Sequence, residues 1–250
     1  MKEKPPVVRV LKNNKRMKDY FSKHYAFINN IDLNSEDSIL GWYKSSFDYY
    51  DKYLKQHLRL SDDKEILELG CGIGGLLYFL KKSGCENFLG VDISEEQLSI
   101  CQKYVTTKVV NEDVLSFLKN HDRKYDLIVL FDLIEHLAKD KIIQFIKLLY
   151  MTLNVNGRIL LRTPNMGSLF GLRSRHIDFT HEVGFTEESI KQVFHQSEFS
   201  KVQVYNTYIG KKRLFVVKCY QRILEKLYNI KLSNIVTQDL LLIATKGMKS

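Results

Sequence analysis

The sequence predicts an α/β fold built on a doubly wound, mostly parallel sheet. Three observations carry that prediction. Short apolar runs alternate with helix-periodic stretches through the middle of the 250-residue chain, the βαβ rhythm of a parallel sheet. The run Asp126-Leu-Ile-Val-Leu-Phe131 has no polar alternation, as expected of a strand covered on both faces. The run Ile66–Leu69 enters Gly70-Cys-Gly-Ile-Gly-Gly75, a strand-to-helix turn that lets backbone N–H groups approach a ligand closely.

The elements follow in order. Residues 1–18 are basic and carry Pro5-Pro6. They read as a loose arm, and residues 1–34 as that arm plus the start of a cap. Over 35–60, apolar residues such as Ile39, Trp42, Tyr43, Phe47, Tyr50 and Leu54 recur at helical spacing, predicting one or two cap helices with Ser35 or Asp37 as N-cap. Residues 61–250 form the main domain. Within it Ile66–Leu69 is a strand, Ile73–Ser83 a helix and Phe88–Val91 a strand. Ser94–Tyr104 is a helix with Ser94 and Gln97 in capping-box positions. Lys108–Val110 is a short strand, and Asp113 opens a brief helix ending near Lys119. Asp126–Phe131 is a strand, Asp140–Leu153 an amphipathic helix, and Gly157–Thr163 a strand ended by Pro164. Glu187–Gln196 is a helix, and Lys201–Asn206 and Asp239–Thr245 are strands. The stretch between these last two strands is too long for a hairpin turn. It is read as a helical insertion over 209–234, basic and amphipathic from Lys211 to Leu232.

The length suits one domain with a sizeable core. The net charge of +9 favours an acidic partner (nucleic acid, anionic lipid or a phosphorylated substrate) or serves solubility alone. Cys71, Cys85, Cys101 and Cys219 are scattered without a C-x-x-C pair, which points to a reducing compartment and away from disulfides or zinc. Neither a signal peptide nor an 18-residue apolar span is present in the sequence, so the expectation is a cytoplasmic protein, peripheral at the inner membrane face.

The glycine turn satisfies two fingerprints. Gly70, Gly72 and Gly75 fit the dinucleotide pattern G-x-G-x-x-G. Glu68, Gly70, Gly72 and Gly74 fit acid-x-G-x-G-x-G. Glu68 decides between them on charge grounds, because a carboxylate at the strand end repels a pyrophosphate across a low-dielectric pocket. It suits a ligand with a cationic amino-acid head and a sulfonium, S-adenosylmethionine. Asp92 lies at the next strand end, about 20 residues beyond the glycines, where an acid accepts hydrogen bonds from ribose hydroxyls of either cofactor.

Four features in order then make the chain resemble the class I S-adenosylmethionine-dependent methyltransferases over residues 37–208 and 236–246. They are Glu68-Leu-Gly-Cys-Gly-Ile-Gly74, Asp92, Asn111-Glu-Asp113, and Phe131-Asp-Leu-Ile-Glu-His-Leu137. The resemblance implies a seven-stranded sheet whose last strand inserts antiparallel. It implies that Glu68 and the Gly70, Gly72 and Gly74 loop hold the methionine part, and that Asp92 binds ribose with Ile93 on the adenine. Asp113 and the Val114 N–H would take the adenine edge, with Asp113 also fit to cap its helix, and Phe131 would close over the methionine end.

Methyl transfer from a sulfonium is an in-line displacement governed by alignment, and a hydroxyl acceptor also needs a base. Two groups of residues qualify. One is Glu135-His136, after the fourth strand. The other is Arg175-His-Ile-Asp-Phe-Thr-His-Glu182, read as a loop after the fifth. His181 is the preferred base, oriented by Asp178 or Glu182, with His136 second. Asp178 with His176 or His181 lacks clear metal-ligand spacing, and no metal is expected. Thr180-His181 followed by Phe185-Thr186-Glu187-Glu188 resembles the acceptor loop of methyltransferases of bacterial glycan and quinone assembly.

The expected acceptor is a small molecule or glycan, above all a sugar hydroxyl on a nucleotide- or lipid-linked glycan. A quinone precursor or other small aromatic is the alternative, and a non-catalytic S-adenosylmethionine-binding regulator a further one. The Lys211–Leu232 segment would contact a membrane surface or form a homodimer face. Nucleic acid is disfavoured, because the basic residues are spread and no Asn-Pro-Pro-Tyr motif follows the fourth strand.

Overall fold

The computed structural model describes residues 26–248 apart from 28 and 62. The basic arm expected over 1–18 lies outside the described residues. The first described helix with a defined cap is α1 (Glu36–Tyr49), where Ser35 accepts from the Ser38 N–H. A π-helical turn, Tyr50–Leu54, continues it into α2 (Lys55–Leu58), which Arg59 ends at φ 48°.

The alternating core follows: β1 (Ile66–Leu69), α3 (Gly75–Lys82), β2 (Phe88–Asp92), α4 (Glu95–Tyr104), β3 (Val109–Asn111), α5 (Val114–Asn120), β4 (Tyr125–Phe131), α6 (Ile142–Thr152) and β5 (Leu153–Pro164). Then come α7 (Gly171–His176), α8 (Glu187–Phe194), β6 (Phe199–Asn206), α9 (Lys211–Tyr228) and β7 (Asp239–Lys246). The seven strands lie in the order β3-β2-β1-β4-β5-β7-β6. β1 to β5 pair in parallel, and β7 inserts antiparallel between β5 and β6. This is the fold class the sequence predicts.

Three local expectations change. The helix after the glycines starts at Gly75 rather than Ile73, because Gly74 is left-handed and serves as its N-cap. The helix expected from Asp140 is split into a 3₁₀ turn (Lys139–Lys141) and α6, and Leu153 belongs to β5 instead. Residues 171–176, read as loop, form α7. That helix is too short for periodicity to reveal.

Two apolar layers cover the sheet. One is built on Phe117, Phe145, Ile146 and Phe194 from α5, α6 and α8. The other is built on Tyr43, Leu76, Phe79 and Leu98 from α1, α3 and α4. β1 is buried along its whole length, as a central parallel strand must be. The carboxyl ends of β1, β2, β4 and β5 therefore open at one edge, where ligands bind in doubly wound sheets.

Candidate functional site

The β1–α3 turn selects between the two glycine fingerprints. Gly70, Gly72 and Gly74 have φ of 74°, 54° and 85°, so the alternate glycines after Glu68 carry the left-handed backbone. A Cβ on Gly74 would lie 2.4 Å from Cys101 Sγ of α4. Gly75, which completes the dinucleotide pattern, is an ordinary first helical residue kept small by Trp42 of α1, whose ring is 2.5 Å from its Cβ position. The glycines serve backbone shape first, and the acid-x-G-x-G-x-G pattern is the one the backbone uses.

Glu68 is 5 % exposed, and its Oε2 has no hydrogen-bond partner. Burial, and then the Asp92 charge, push its carboxyl well above the usual range. A cationic ligand would relieve that cost, whereas a pyrophosphate would add to it. Asp92 is already engaged: Oδ2 accepts from Gly72 N–H at 2.9 Å and Oδ1 from Ser94 N–H at 2.8 Å. It shapes the glycine turn and the start of α4 at once. Burial raises its carboxyl, and the backbone donors hold it down. Asp113 is the N-cap of α5, with Oδ1 accepting from the Leu115 and Ser116 N–H groups. Val114 is the first residue of that helix, and Ile93 is half-buried between β2 and α4.

The cap closes this side. The Tyr43 hydroxyl donates to the Ile73 carbonyl at 2.5 Å, inside the glycine turn. Tyr50, at the start of the π-helical turn, stacks 6.3 Å from Phe131, and burial raises its hydroxyl well above its ordinary value. The Arg162 guanidinium lies 5.0 Å from the same ring and pairs with Asp132. Burial works against the Arg162 charge, but the Asp132 carboxylate outweighs it and keeps the group protonated. Asp132 itself stands at φ 51°, a strained turn directly after β4. Tyr50, Arg162 and Asp132 join Phe131 here, and none of the three was a candidate from sequence. The available signal was Arg162 at the end of the apolar run Ile159–Leu161.

The two groups of ionisable residues that the sequence offers as alternatives meet in space. The Glu135 carbonyl accepts from Glu182 N–H at 2.8 Å and Val183 N–H at 3.0 Å. The rings of His136 and His181 lie 4.9 Å apart. Asp178 Oδ1 takes the Thr180 N–H and hydroxyl, each at 2.7 Å. Having donated to Asp178, the Thr180 hydroxyl accepts from His136 Nδ1 at 2.9 Å, which leaves the ring lone pair on Nε2. Asp178 thus steadies His136 through Thr180. His181 Nδ1 is held by the Ser174 carbonyl at 3.1 Å, and Arg175 grips the His181 and Glu182 carbonyls. His176 and the Glu182 side chain are exposed. Burial, and then His181, lower the affinity of His136 for a proton.

Residues 45–204 match a family model described as a methyltransferase domain. The chain belongs to this methyltransferase family. Its cofactor is S-adenosylmethionine, and the orphaned, buried Glu68 oxygen fits that cation. A ribosomal protein L11 methyltransferase of Ruminiclostridium cellulolyticum is 36% identical over 85 residues, 32% of this chain and 25% of that protein. Cyclopropane mycolic acid synthase 3 of Mycobacterium tuberculosis is 26% identical over 141 residues, 55% of this chain and 49% of that one. The chain thus spans from a quarter to about half of the curated relatives it matches. A crystal structure of a SAM-dependent methyltransferase from Archaeoglobus fulgidus superposes with a TM-score of 0.61 at 24% identity, covering 80% of this chain and 99% of that one. The ends of β1 and β2 and the turn after β3 carry Glu68, Asp92 and Asp113, and the segments after β4 and β5 carry the His136–His181 pair.

Proposed function

We propose that this methyltransferase transfers the methyl group to a hydroxyl oxygen, with a sugar on a nucleotide- or lipid-linked glycan as the acceptor. The observation that carries the reading is the His136–His181 pair at the carboxyl edge, with both Nδ1 atoms committed to protein oxygens. An alcohol needs a base before it can attack a sulfonium methyl, and a neutral imidazole presenting Nε2 suits that task. His181, on the loop tied to the turn after β4, is the base in this reading. Asp178 and Thr180 steady its neighbour.

The two curated relatives carry names that point to acceptors of different classes, a ribosomal protein and a mycolic acid. The shared segment therefore supports the donor half of the reaction more than the acceptor. For the acceptor, the surface supports a lipid-linked molecule. Around the acceptor loop Leu169, Phe170, Leu172, Ile177 and Phe179 are exposed, Phe179 by 90 %. No residue of α9 is buried, and Phe215, Tyr220, Ile223 and Leu227 stand out among its lysines and arginines. The segment after α9 returns to the site, where Ser233 hydrogen-bonds Glu187 at the start of α8. A basic, apolar face beside an apolar site mouth suits an anionic membrane surface.

Substituting His181→Ala leaves S-adenosylmethionine affinity unchanged and lowers turnover on the acceptor by roughly tenfold or more. Calorimetric binding together with a S-adenosylhomocysteine release assay on lipid-linked glycans, nucleotide sugars and catechols checks both halves. Unchanged turnover refutes the base, and turnover confined to catechols favours the small-aromatic reading.

A further inference from the structure

We propose that Glu135, His136 and His181 form a three-ligand site for a first-row divalent cation on the acceptor side. One carboxylate oxygen of Glu135 and one ring nitrogen of each histidine lie within 4.8 Å of one another. Of the residues considered for a metal from sequence only His181 joins this trio: His176 is exposed at the end of α7, and Asp178 Oδ1 accepts from Thr180.

Glu135 supplies the independent observation. It is 2 % exposed, its Oε2 accepts from the Thr163 hydroxyl at 2.9 Å, and its Oε1 is buried with no hydrogen-bond partner. A buried carboxylate oxygen without a partner is expensive, and a cation would satisfy it. The histidines are arranged as ligands are. Each Nδ1 is engaged by a protein oxygen, Thr180 for His136 and the Ser174 carbonyl for His181, and this is how metal sites fix the tautomer and aim Nε2. The two ligand-bearing segments are also tied together at the backbone, through Glu182 and Val183 donating to the Glu135 carbonyl. Closing the trio around an ion with bonds of about 2.0–2.2 Å needs side-chain shifts of roughly 1 Å. Two imidazoles and one carboxylate with open positions suit Zn²⁺, Mn²⁺, Fe²⁺ or Co²⁺ better than Mg²⁺ or Ca²⁺.

The use of the cation rests on the hydroxyl-acceptor reading. The acceptor hydroxyl binds the ion through oxygen, which lowers its pKa, and its proton leaves to solvent. The oxygen then forms the new bond to the methyl carbon while the carbon–sulfur bond breaks and its electron pair returns to sulfur. His181 serves in this case as ligand rather than as proton acceptor.

Titrating CoCl₂ into the chelator-dialysed full chain, followed by its visible d–d absorption, tests the site without any acceptor. The expected result is saturable binding of one equivalent, weakened tenfold or more in Glu135→Gln and in His181→Ala, with both variants still binding S-adenosylmethionine as a check of folding. No saturable signal from the wild type, or variants that bind Co²⁺ like the wild type, overturns the proposal. The two readings fail separately. Chelator-resistant turnover without a Co²⁺ signal removes the cation and leaves His181 as base. A Co²⁺ site in a protein whose His181→Ala variant turns over normally keeps the ion-binding site but removes both His181 as base and the use of the ion in turnover.

Discussion

Gly74 shows how tightly the donor side is built at the level of single residues. Its φ of 85° disfavours any side chain, and the Cβ position 2.4 Å from Cys101 Sγ has no room to give because Cys101 is fully buried. Gly74→Ala is expected to cost about 2–4 kcal/mol, from left-handed strain plus overpacking. A lower urea midpoint with unchanged slope would register it, and a midpoint equal to the wild type's would show that the turn can relax. The residues of this turn were legible in the sequence because the requirement is local: Glu68, Gly70, Gly72 and Gly74 sit at fixed spacing on one strand-to-helix turn. Glu135 was legible only as a neighbour of His136. Its carboxylate bonds Thr163 of β5 through Oε2 and leaves Oε1 buried without a hydrogen bond, a tertiary arrangement that no spacing encodes. Tyr50 and Arg162 were invisible as site residues for the same reason, since both meet Phe131 from elements distant in sequence.

Among the elements, the strands were the most legible because β1 and the Leu127–Leu130 stretch of β4 are buried on both faces and almost wholly apolar. The π-helical turn was not. Its apolar residues keep helical spacing, so the wider ladder at Tyr50–Leu54, where Tyr50 packs on Phe79 and Phe131, leaves no mark in the pattern. Such turns occur often at functional sites. Ser94 caps α4 as expected by accepting from Gln97 N–H, while its own N–H goes to Asp92. The cap and Asp92 are thereby one unit. α9 is the element whose sequence pattern speaks most directly to a partner. With its apolar residues exposed among cations, the protein should pellet with anionic liposomes and remain in the supernatant with neutral ones. Phe215→Ser with Leu227→Ser should abolish pelleting without changing S-adenosylmethionine affinity. Failure to pellet with either lipid would instead favour a protein face, such as a homodimer.

Across the whole molecule, the sheet divides the labour. Its β1–β3 half carries Glu68, Asp92 and Asp113. The connections after β4 and β5 bring Glu135, His136 and His181 together, and the α1 cap packs on the glycine turn through Tyr43 and Trp42. No helix among the described residues is long and apolar enough to cross a membrane, so any membrane contact falls to the exposed faces. The donor half could be read from order and spacing along the chain. The acceptor half could not, because it is assembled from two loops whose meeting depends on backbone bonds from Glu182 and Val183 to Glu135. The claim on which everything else depends is that the buried Glu68 makes this edge a site for a cationic methyl donor. Calorimetric titration of S-adenosylmethionine into the wild type and into Glu68→Gln tests it most directly. The wild type should bind one equivalent and the variant should bind roughly 10–100-fold more weakly, the worth of a hydrogen bond to a charged group. Equal affinity in the two proteins, or no binding by the wild type, would contradict it.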